Sequence, residues 1–266
     1  MNDFPLVSVL IVHYNRPDVL EKVFFSIKNN LSYPNLEFVL SDDFSRPEVI
    51  EQIKKIPFDK FVLAHKNEGM GANTNKGIKA CRGEYILQLQ DDHILKEGFS
   101  DSIQKGLQIL QADSTVGFIR FLLSKSFRST IPKSTGKIEY LAVPKEMWKN
   151  RERGFFQYSD WPHLKPAAIH TSLGLYLESK PIIYTENEFN VRFLRTKGLF
   201  VAYIPGYENI FNTYETESNR NVEIEKRKRR TVKNLLKNYL RQRLPILKLV
   251  RFYYWLLKYD YKKRRL

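Results

Sequence analysis

The first 95 residues alternate between apolar, strand-like runs and segments of helical periodicity, and this alternation constrains the fold more than any other feature. The run LVSVLIVHY at residues 6–14 is almost continuously apolar, as in a strand buried on both faces of a sheet. The next segment carries apolar residues at helical spacing: Val19, Leu20, Val23, Phe24 and Ile27. Strands that alternate with helices across short connections predict an α/β fold with a doubly wound, mostly parallel sheet.

The same alternation continues in this half, with strands expected in LEFVLSDD, KFVLAHK and EYILQLQ and helices in RPEVIEQIKKI and GANTNKGIKACRG. Residues 96–215 are less regular. They predict a helix in EGFSDSIQKGLQILQAD, a strand in TVGFIRFLLS, an aromatic-rich loop in FFQYSDWPHLKPAAIHTSLG, a helix over about 186–197 and a strand in LFVAYIP. We expect one domain over residues 1–215, divided into halves 1–95 and 96–215, and a separate segment, 216–266.

Polar clusters follow three of the predicted strands: HYNR at 13–16, SDDFS at 41–45 and QDDH at 90–93. In doubly wound sheets the carboxyl ends of the parallel strands meet at one edge, where ligands bind. Asp91 and Asp92 could alternatively open a solvated turn. Three clusters at one edge favour a functional site.

The sequence contains few features that would direct the chain out of the cytoplasm or into a membrane. Cys81 is the single cysteine, so the chain cannot form an internal disulfide, and a reducing compartment is expected. The N-terminal segment lacks a basic region and a cleavage site of small residues, and no run of about 18 apolar residues is long enough to span a membrane. These features predict a cytoplasmic protein.

The net charge of +15 is confined to residues 226–266, here called the basic tail, where sixteen Lys and Arg residues accompany one acid, Asp260. Leucines and aromatics at helical spacing lie among these cations, and Pro245 is expected to divide the segment in two. This composition predicts an amphipathic helical extension on an anionic membrane surface. A helical cap on the domain and a basic arm for nucleic acid are the alternatives, and the neutral remainder argues against nucleic acid.

The ordered elements and motifs resemble the family 2 glycosyltransferases, which have the GT-A fold and transfer sugars from nucleotide donors. The resemblance covers roughly residues 6–205 and rests on VSVLIVHYNRPDVLEKVFFSI, LEFVLSDDFS, NEGMGANTNKGIKACRGEYILQLQDD and TENEFNVRFLRTKGLFVAYIP. It implies that residues 1–95 bind the nucleotide sugar and 96–215 the acceptor. It also implies an inverting reaction that uses Mn²⁺ or Mg²⁺.

The resemblance also implies roles for residues at the donor side. Asp92 would ligate the metal, Asp91 would contact the ribose or the donor sugar, and Asp43 would bind the base, commonly uracil, while Asp42 faces the loop. The other implied donor-binding residues are His13, Tyr14, Asn15 and Asn75.

The sequence departs from the family pattern at several positions. Gln90 stands where the family usually has the first aspartate of a triplet, and Thr74 stands where it often has arginine. No histidine follows the YIP strand. His93 could replace that histidine at the metal, although it fits equally well as a turn residue.

An inverting transfer needs a general base to deprotonate the acceptor hydroxyl. The motif TENEFNVR places Glu186 at the family's base position, with Glu188 two residues later as the other candidate. Glu186 could instead stabilise the helix dipole from the first turn. Candidates for the acceptor side, equally suited to the core, are Trp161, His163, Tyr158, Phe156 and His170.

These features together predict transfer of a sugar to a hydroxyl of a glycan or lipid-linked glycan at the inner face of the cell membrane. Because Gln90, Thr74 and Glu186 depart from the family pattern, a protein that binds nucleotide sugars with little turnover is the alternative.

Overall fold

A computed structural model describes residues 4–121, 130–143, 158–178, 182–207 and 210–214, without the side chains of 182–184. The N-terminal half follows the predicted alternation: β1 Val7–His13, α1 Pro17–Asn30, β2 Leu36–Asp42, α2 Pro47–Ile53, β3 Lys60–Leu63, α3 Met70–Ala80 and β4 Tyr85–Gln90. The short β5 His93–Leu95 follows directly. Strands β1 to β4 all run parallel, and β1 lies between β2 and β4.

The second half adds α4 Phe99–Ala112, β6 Val116–Arg120, β7 Ile131–Thr135, β8 Ile138–Val143, β9 His163–Pro166, α5 Ile169–Leu173, α6 Ile182–Arg195, β10 Phe200–Tyr203 and β11 Phe211–Thr213. Within the described ranges, the main sheet has nine strands in the order β3-β2-β1-β4-β9-β6-β10-β8-β7. Strands β9 and β8 run antiparallel to their neighbours. The predicted α/β class with a mostly parallel sheet is therefore confirmed.

Two hydrophobic layers cover the faces of this sheet. One layer packs α1, α2 and α4 against side chains such as Val9 and Leu87, and the other packs α3, α5 and α6 against side chains such as Leu10 and Ile86. Neighbouring residues of one strand thus enter opposite layers, because successive side chains of a strand alternate between faces. This double coverage explains the continuous apolar runs in the sequence.

The structure corrects two element predictions. The expected loop over 155–174 contains β9 and α5. Strand β9 was missed because His163 and Lys165 are buried on one face of the strand, so the sequence lacks the usual alternation of apolar and polar residues. Helix α6 begins at Ile182, earlier than the expected residue 186, so Glu186 lies in its second turn and the first-turn dipole role is wrong.

No helix in the described ranges is long and apolar enough to cross a membrane. The basic tail and Phe156 lie outside the described residues. The predicted boundary between residues 215 and 216 therefore stays a prediction.

Candidate active site

The carboxyl ends of β1, β2 and β4 meet at one edge of the sheet and are joined by main-chain hydrogen bonds. The Asp43 N–H donates to the carbonyl oxygen of His13 (3.1 Å), and the Asp91 N–H donates to that of Val12 (3.2 Å). The three polar clusters of the sequence are therefore neighbours in space.

A buried pair, His13 and Asp42, forms the base of this edge. The Arg16 N–H donates to His13 Nε2 (3.1 Å), so Nδ1 carries the ring hydrogen and donates it to Asp42 Oδ1, with 2.7 Å between the nitrogen and the oxygen. Burial alone would raise the pKa of Asp42, but hydrogen bonds from His13 and Ser45 lower it below the ordinary value. Asp42 is fully buried, and its carboxylate also accepts hydrogen bonds from the N–H (2.8 Å) and the hydroxyl (2.5 Å) of Ser45 in the loop after β2.

Asp91 and Asp92 add negative charge at the edge, and Arg16 partly neutralises it. One guanidinium nitrogen bonds Asp91 Oδ1, and the other lies 3.4 Å from Asp92 Oδ2. The Tyr14 N–H also donates to Asp91 (3.3 Å). Burial raises the pKa of Asp91, and the charge of Arg16 partly offsets that rise.

Asp92 retains an oxygen that fits a metal ligand. Its Oδ1 is buried and accepts no hydrogen bond from the described part of the chain. Carboxylate oxygen is the donor that Mn²⁺ and Mg²⁺ prefer. No group of three His, Cys, Asp or Glu side chains able to hold a metal occurs among the described residues.

His93 lies beside Asp92 in β5, with Nε2 at 3.7 Å from Asp92 Oδ1. Its Nδ1 accepts the Gln90 N–H (3.0 Å), so Nε2 carries the ring hydrogen. Burial lowers the pKa of His93 to about 4. In this tautomer Nε2 has no free lone pair, which argues against His93 as a metal ligand.

The loops after β1 and β2 each contain a residue in the left-handed region, Asn15 (φ 55°) and Phe44 (φ 66°). Two hydrogen bonds join these loops: the Asn15 N–H donates to Ser45 Oγ (2.8 Å), and Asn15 Oδ1 accepts the Arg46 N–H (2.9 Å). The left-handed conformation is costly for a residue such as Phe44 and is held by its surroundings. The rings of Phe44 and Tyr14 are exposed, so both are free to stack on a flat ligand.

Two predicted donor-binding residues already hold the protein main chain. The carboxylate of Asp43 accepts the N–H groups of Glu68 (3.0 Å) and Gly69 (2.9 Å), which fixes the segment before α3. The amide of Asn75 bonds the carbonyl oxygen and the N–H of Tyr176 (2.9 and 2.8 Å). Because Asn75 is buried and both ends of its amide are bonded, the structure gives it a role in docking α3.

A second carboxyl pair lies beyond Gln90. The Gln90 side-chain amide donates to Asp160 Oδ2 (2.5 Å), and the Asp160 N–H donates to Glu186 Oε1 (3.3 Å). The side chains of Asp160 and Glu186 also share a hydrogen bond. Burial, followed by the charge of Asp160, raises the pKa of Glu186 to about 7, which is suited to a general base near neutral pH.

The remaining candidates for the base and the acceptor side differ in their contacts and exposure. Glu188 forms an ion pair with Arg192 (2.7 Å) one turn along α6, whereas Glu186 faces Asp160, so the geometry favours Glu186 as the base. Trp161 is 44% exposed and fits an acceptor platform. His163 is 1% exposed and packs against Phe118 and Tyr158, so it does not reach an acceptor. Tyr158 and His170 are likewise packed against core rings.

Sequence reasoning missed Asp160 and the pairing of Arg16 with both aspartates. Asp160 stands in YSDWPH, a segment without periodicity, and only the antiparallel return of β9 beside β4 brings it to Gln90. Gln90 itself departs from the family pattern, and an amide beside two carboxylates is the available clue to a nearby acceptor.

The family model described as Glycosyl transferase family 2 matches residues 8–172, which is more than half of the chain. A curated relative, the GalNAc(5)-diNAcBac-PP-undecaprenol beta-1,3-glucosyltransferase of Campylobacter jejuni, is 30% identical over 99 residues, 35% of this chain and 32% of that protein. The matched segments span 29% to 58% of the lengths of three such relatives.

Solved structures with similar folds include glycosyltransferases with bound ligands. S. aureus TarS 1–349 in complex with UDP-GlcNAc has a TM-score of 0.55 at 15% identity and covers 82% of this chain and 64% of that one. The Pyrobaculum calidifontis mannosyltransferase PcManGT, in complex with GDP-Man and Mn²⁺, has a TM-score of 0.53 at 14% identity and covers 77% of this chain and 59% of that one. At these identities the similarity establishes the fold.

Proposed function

The chain belongs to glycosyl transferase family 2, and from this we propose that it is an inverting enzyme that transfers a sugar from a nucleotide-sugar donor to a hydroxyl of a glycan or lipid-linked glycan. The observation that carries the proposal is the link from the aspartates at the β4 end, through Gln90 and Asp160, to Glu186. A charged edge for a metal-bound diphosphate and a half-buried carboxyl group suited to base catalysis thus lie in one site.

In the proposed reaction Glu186 accepts the proton of the acceptor hydroxyl while that oxygen attacks the anomeric carbon. The bond between the sugar and the diphosphate breaks, and the diphosphate leaves with the electron pair. Trp161 offers an exposed ring on which an acceptor sugar can stack. Asp160, next to Trp161 in the chain, holds Glu186 on this side of the site.

On the donor side, the exposed Tyr14 is the proposed contact for the base, with Asp43, His13 and Asn15 shaping the loops around it. Asp91 is proposed to contact the ribose or donor sugar. Asp92 would hold Mn²⁺ or Mg²⁺, and such an ion, when bound, supplies positive charge to the leaving diphosphate.

The donor and acceptor classes come from the family resemblance. A UDP-sugar is the favoured donor, although a structurally similar enzyme is titled with GDP-Man. A lipid-linked acceptor is suggested by the Campylobacter jejuni relative, whose name includes PP-undecaprenol. With the basic tail on an anionic membrane surface, the enzyme would work at the cytoplasmic face in cell-surface polysaccharide synthesis, and no nucleic-acid partner is proposed.

One observation favours the alternative of a nucleotide-sugar-binding protein with little turnover. Arg16 bonds both Asp91 and Asp92, so a fixed cation already stands where the metal would be needed. If a metal ion does not displace Arg16 from the two aspartates, the donor binds but its diphosphate is not activated as a leaving group.

Thermal unfolding with a panel of UDP- and GDP-sugars, with and without Mn²⁺, tests the donor class, because a ligand that binds only the native state raises its stability. Donor hydrolysis is then compared in Asp92→Ala and Glu186→Gln, with the exposed Asp18→Ala and Glu51→Gln as matched controls. We expect Glu186→Gln to lower turnover by about 10²-fold or more and to keep donor binding. Full activity in both site variants would refute the proposed enzyme, and binding without turnover in the wild type would establish the alternative.

A further inference from the structure

The pair of Asp160 and Glu186 is more than a local contact, because three elements converge on it. Gln90 at the end of β4 donates to Asp160, and Glu186 of α6 bonds its side chain and main chain. Arg120 of β6 places its positive charge near both carboxyls and donates to Ser159 (2.5 Å). Asp160 is 7% exposed, so water screens these charges poorly.

Gln90 makes this arrangement possible. An aspartate at position 90 would add a third carboxylate against Asp160, which like-charge repulsion in a buried site disfavours. The glutamine amide instead donates a hydrogen bond and leaves Asp160 one oxygen for Glu186. The departure from the family pattern at Gln90 is thus matched by a carboxyl partner at Asp160.

We propose that Asp160 is a positioning residue that shares one proton with Glu186 and so sets the protonation of the base, with Gln90 fixing Asp160 in place. The role of the pair in catalysis rests on the proposed function. The shared proton rests on the contacts alone. A buried and a half-buried carboxyl in hydrogen-bond contact do not both ionise at low cost, so below about pH 7 one proton bridges them.

The two carboxyls have different roles because they differ in access. Glu186 is half-buried, whereas Asp160 is buried beneath it and tied to Gln90. Above about pH 7 the bridging proton is lost, so Glu186 can receive the acceptor proton, and Asp160 then accepts a hydrogen bond from the resulting acid. Other nearby polar groups are engaged: the hydroxyl of Tyr158 pairs with that of Tyr176 (2.5 Å), and Asn190 accepts the Tyr158 N–H (3.0 Å).

The sign of the pH effect follows from these contacts. Burial and the charge of Asp160 both raise the pKa of Glu186, to about 7, so activity should fall as the pH drops through that value. Replacing Asp160 by Asn removes the charge and keeps the shape. The pKa of Glu186 should then decrease, and the acidic limb of the rate profile should move down by about one pH unit or more.

The test compares the full-length wild type, Asp160→Asn, Glu186→Gln and Glu37→Gln. Glu37 is a matched control, since it is a buried carboxylate whose partners Ser8 and Arg82 lie at the opposite end of β1. Infrared titration of the protonated carboxyl stretch gives a readout that does not depend on activity. We expect a band titrating near pH 7 in the wild type and Glu37→Gln, its loss in Glu186→Gln, and a shift to lower pH in Asp160→Asn.

Kinetics provide the second readout. Asp160→Asn should lower turnover about tenfold at neutral pH, keep donor affinity and displace the acidic limb of kcat/KM. An unchanged profile shape with reduced turnover would show a purely structural role and overturn the proposal. Greater loss in Asp160→Asn than in Glu186→Gln would make Asp160 the base and would also overturn it. If the wild type transfers no sugar, the proposed function fails, while the infrared titration still decides whether the pair shares a proton.

Discussion

At the scale of single residues, Arg16 is the counter-ion that makes two adjacent aspartates tolerable at the strand edge. Asp91 is 1% exposed, so removal of its partner leaves a charge with little solvent to stabilise it. We predict that Arg16→Gln lowers the free energy of unfolding by about 1–3 kcal/mol without metal. Added Mn²⁺ should restore more stability in the variant than in the wild type, because the cation no longer competes with Arg16.

Isothermal titration of Mn²⁺ into donor-free protein measures this competition directly. Arg46→Gln is the matched control, since Arg46 forms an exposed ion pair with Glu48 in the first turn of α2, away from the two aspartates. Weaker Mn²⁺ binding in Arg16→Gln than in the wild type would show that Arg16 supports the metal site and would contradict the prediction.

Among the secondary-structure elements, helix α3 is held in place by one side chain, which forms two hydrogen bonds with the main chain of a neighbouring residue as a paired strand would. The amide of Asn75 pairs with the N–H and carbonyl oxygen of Tyr176, and Gly71 lets the main chain at Leu177 approach so closely that an added Cβ would lie 2.2 Å from its oxygen. Asn75→Ala leaves both buried main-chain groups of Tyr176 unpaired. We predict a loss of about 2–4 kcal/mol in the free energy of unfolding.

Denaturant unfolding measures this loss, and donor affinity of the folded fraction distinguishes docking from ligand contact. The exposed Lys79→Ala on the same helix is the control. If Asn75→Ala unfolds like the wild type but loses donor affinity, the residue binds the donor as the family resemblance implies, and the docking role is wrong.

The elements also show what the sequence can reveal. Strand β1 was predictable because Val9 and Leu10, on opposite faces, are both fully buried and belong to an almost continuous apolar run. Strand β9 carries Lys165 inside the protein, which no periodicity reveals. The grouping of the polar clusters at one edge could be predicted from the parallel topology. The position of Asp160 could not be predicted, because its contact with Gln90 spans 70 residues and depends on an antiparallel strand.

At the scale of the whole molecule, β9 joins the two halves of the sheet and couples its stability to pH through Lys165. This fully buried amine donates to Gln88 (2.7 Å) and Tyr176 (3.2 Å). Burial lowers its pKa to about 7 from the ordinary 10.5. Between these values the unfolded chain binds a proton that the folded protein lacks, so stability rises with pH, by up to about 1.4 kcal/mol per pH unit.

Melting curves from pH 7 to 8 test this effect, below the range where most of the neighbouring Cys81 ionises in the unfolded chain. Lys165→Met should flatten the rise relative to the wild type, while the exposed Lys60→Met should retain it. An identical pH slope in all three proteins would mean that Lys165 is charged in the fold and that the expected linkage is absent.

The positive charge of the chain is concentrated in the basic tail. The entire net charge of +15 lies in residues 226–266, so the residues before them sum to zero and offer anionic lipids no net attraction. If the tail binds the membrane surface, deletion of residues 226–266 should abolish sedimentation with anionic vesicles, and high salt should weaken binding of the full chain. Vesicles of neutral lipid are the control.

The truncated protein should keep its activity on a soluble acceptor, because the strand-end aspartates and the Glu186 pair all lie before the tail. Equal binding of both proteins to anionic vesicles would refute the membrane role, whereas loss of fold on truncation would favour the alternative of a helical cap.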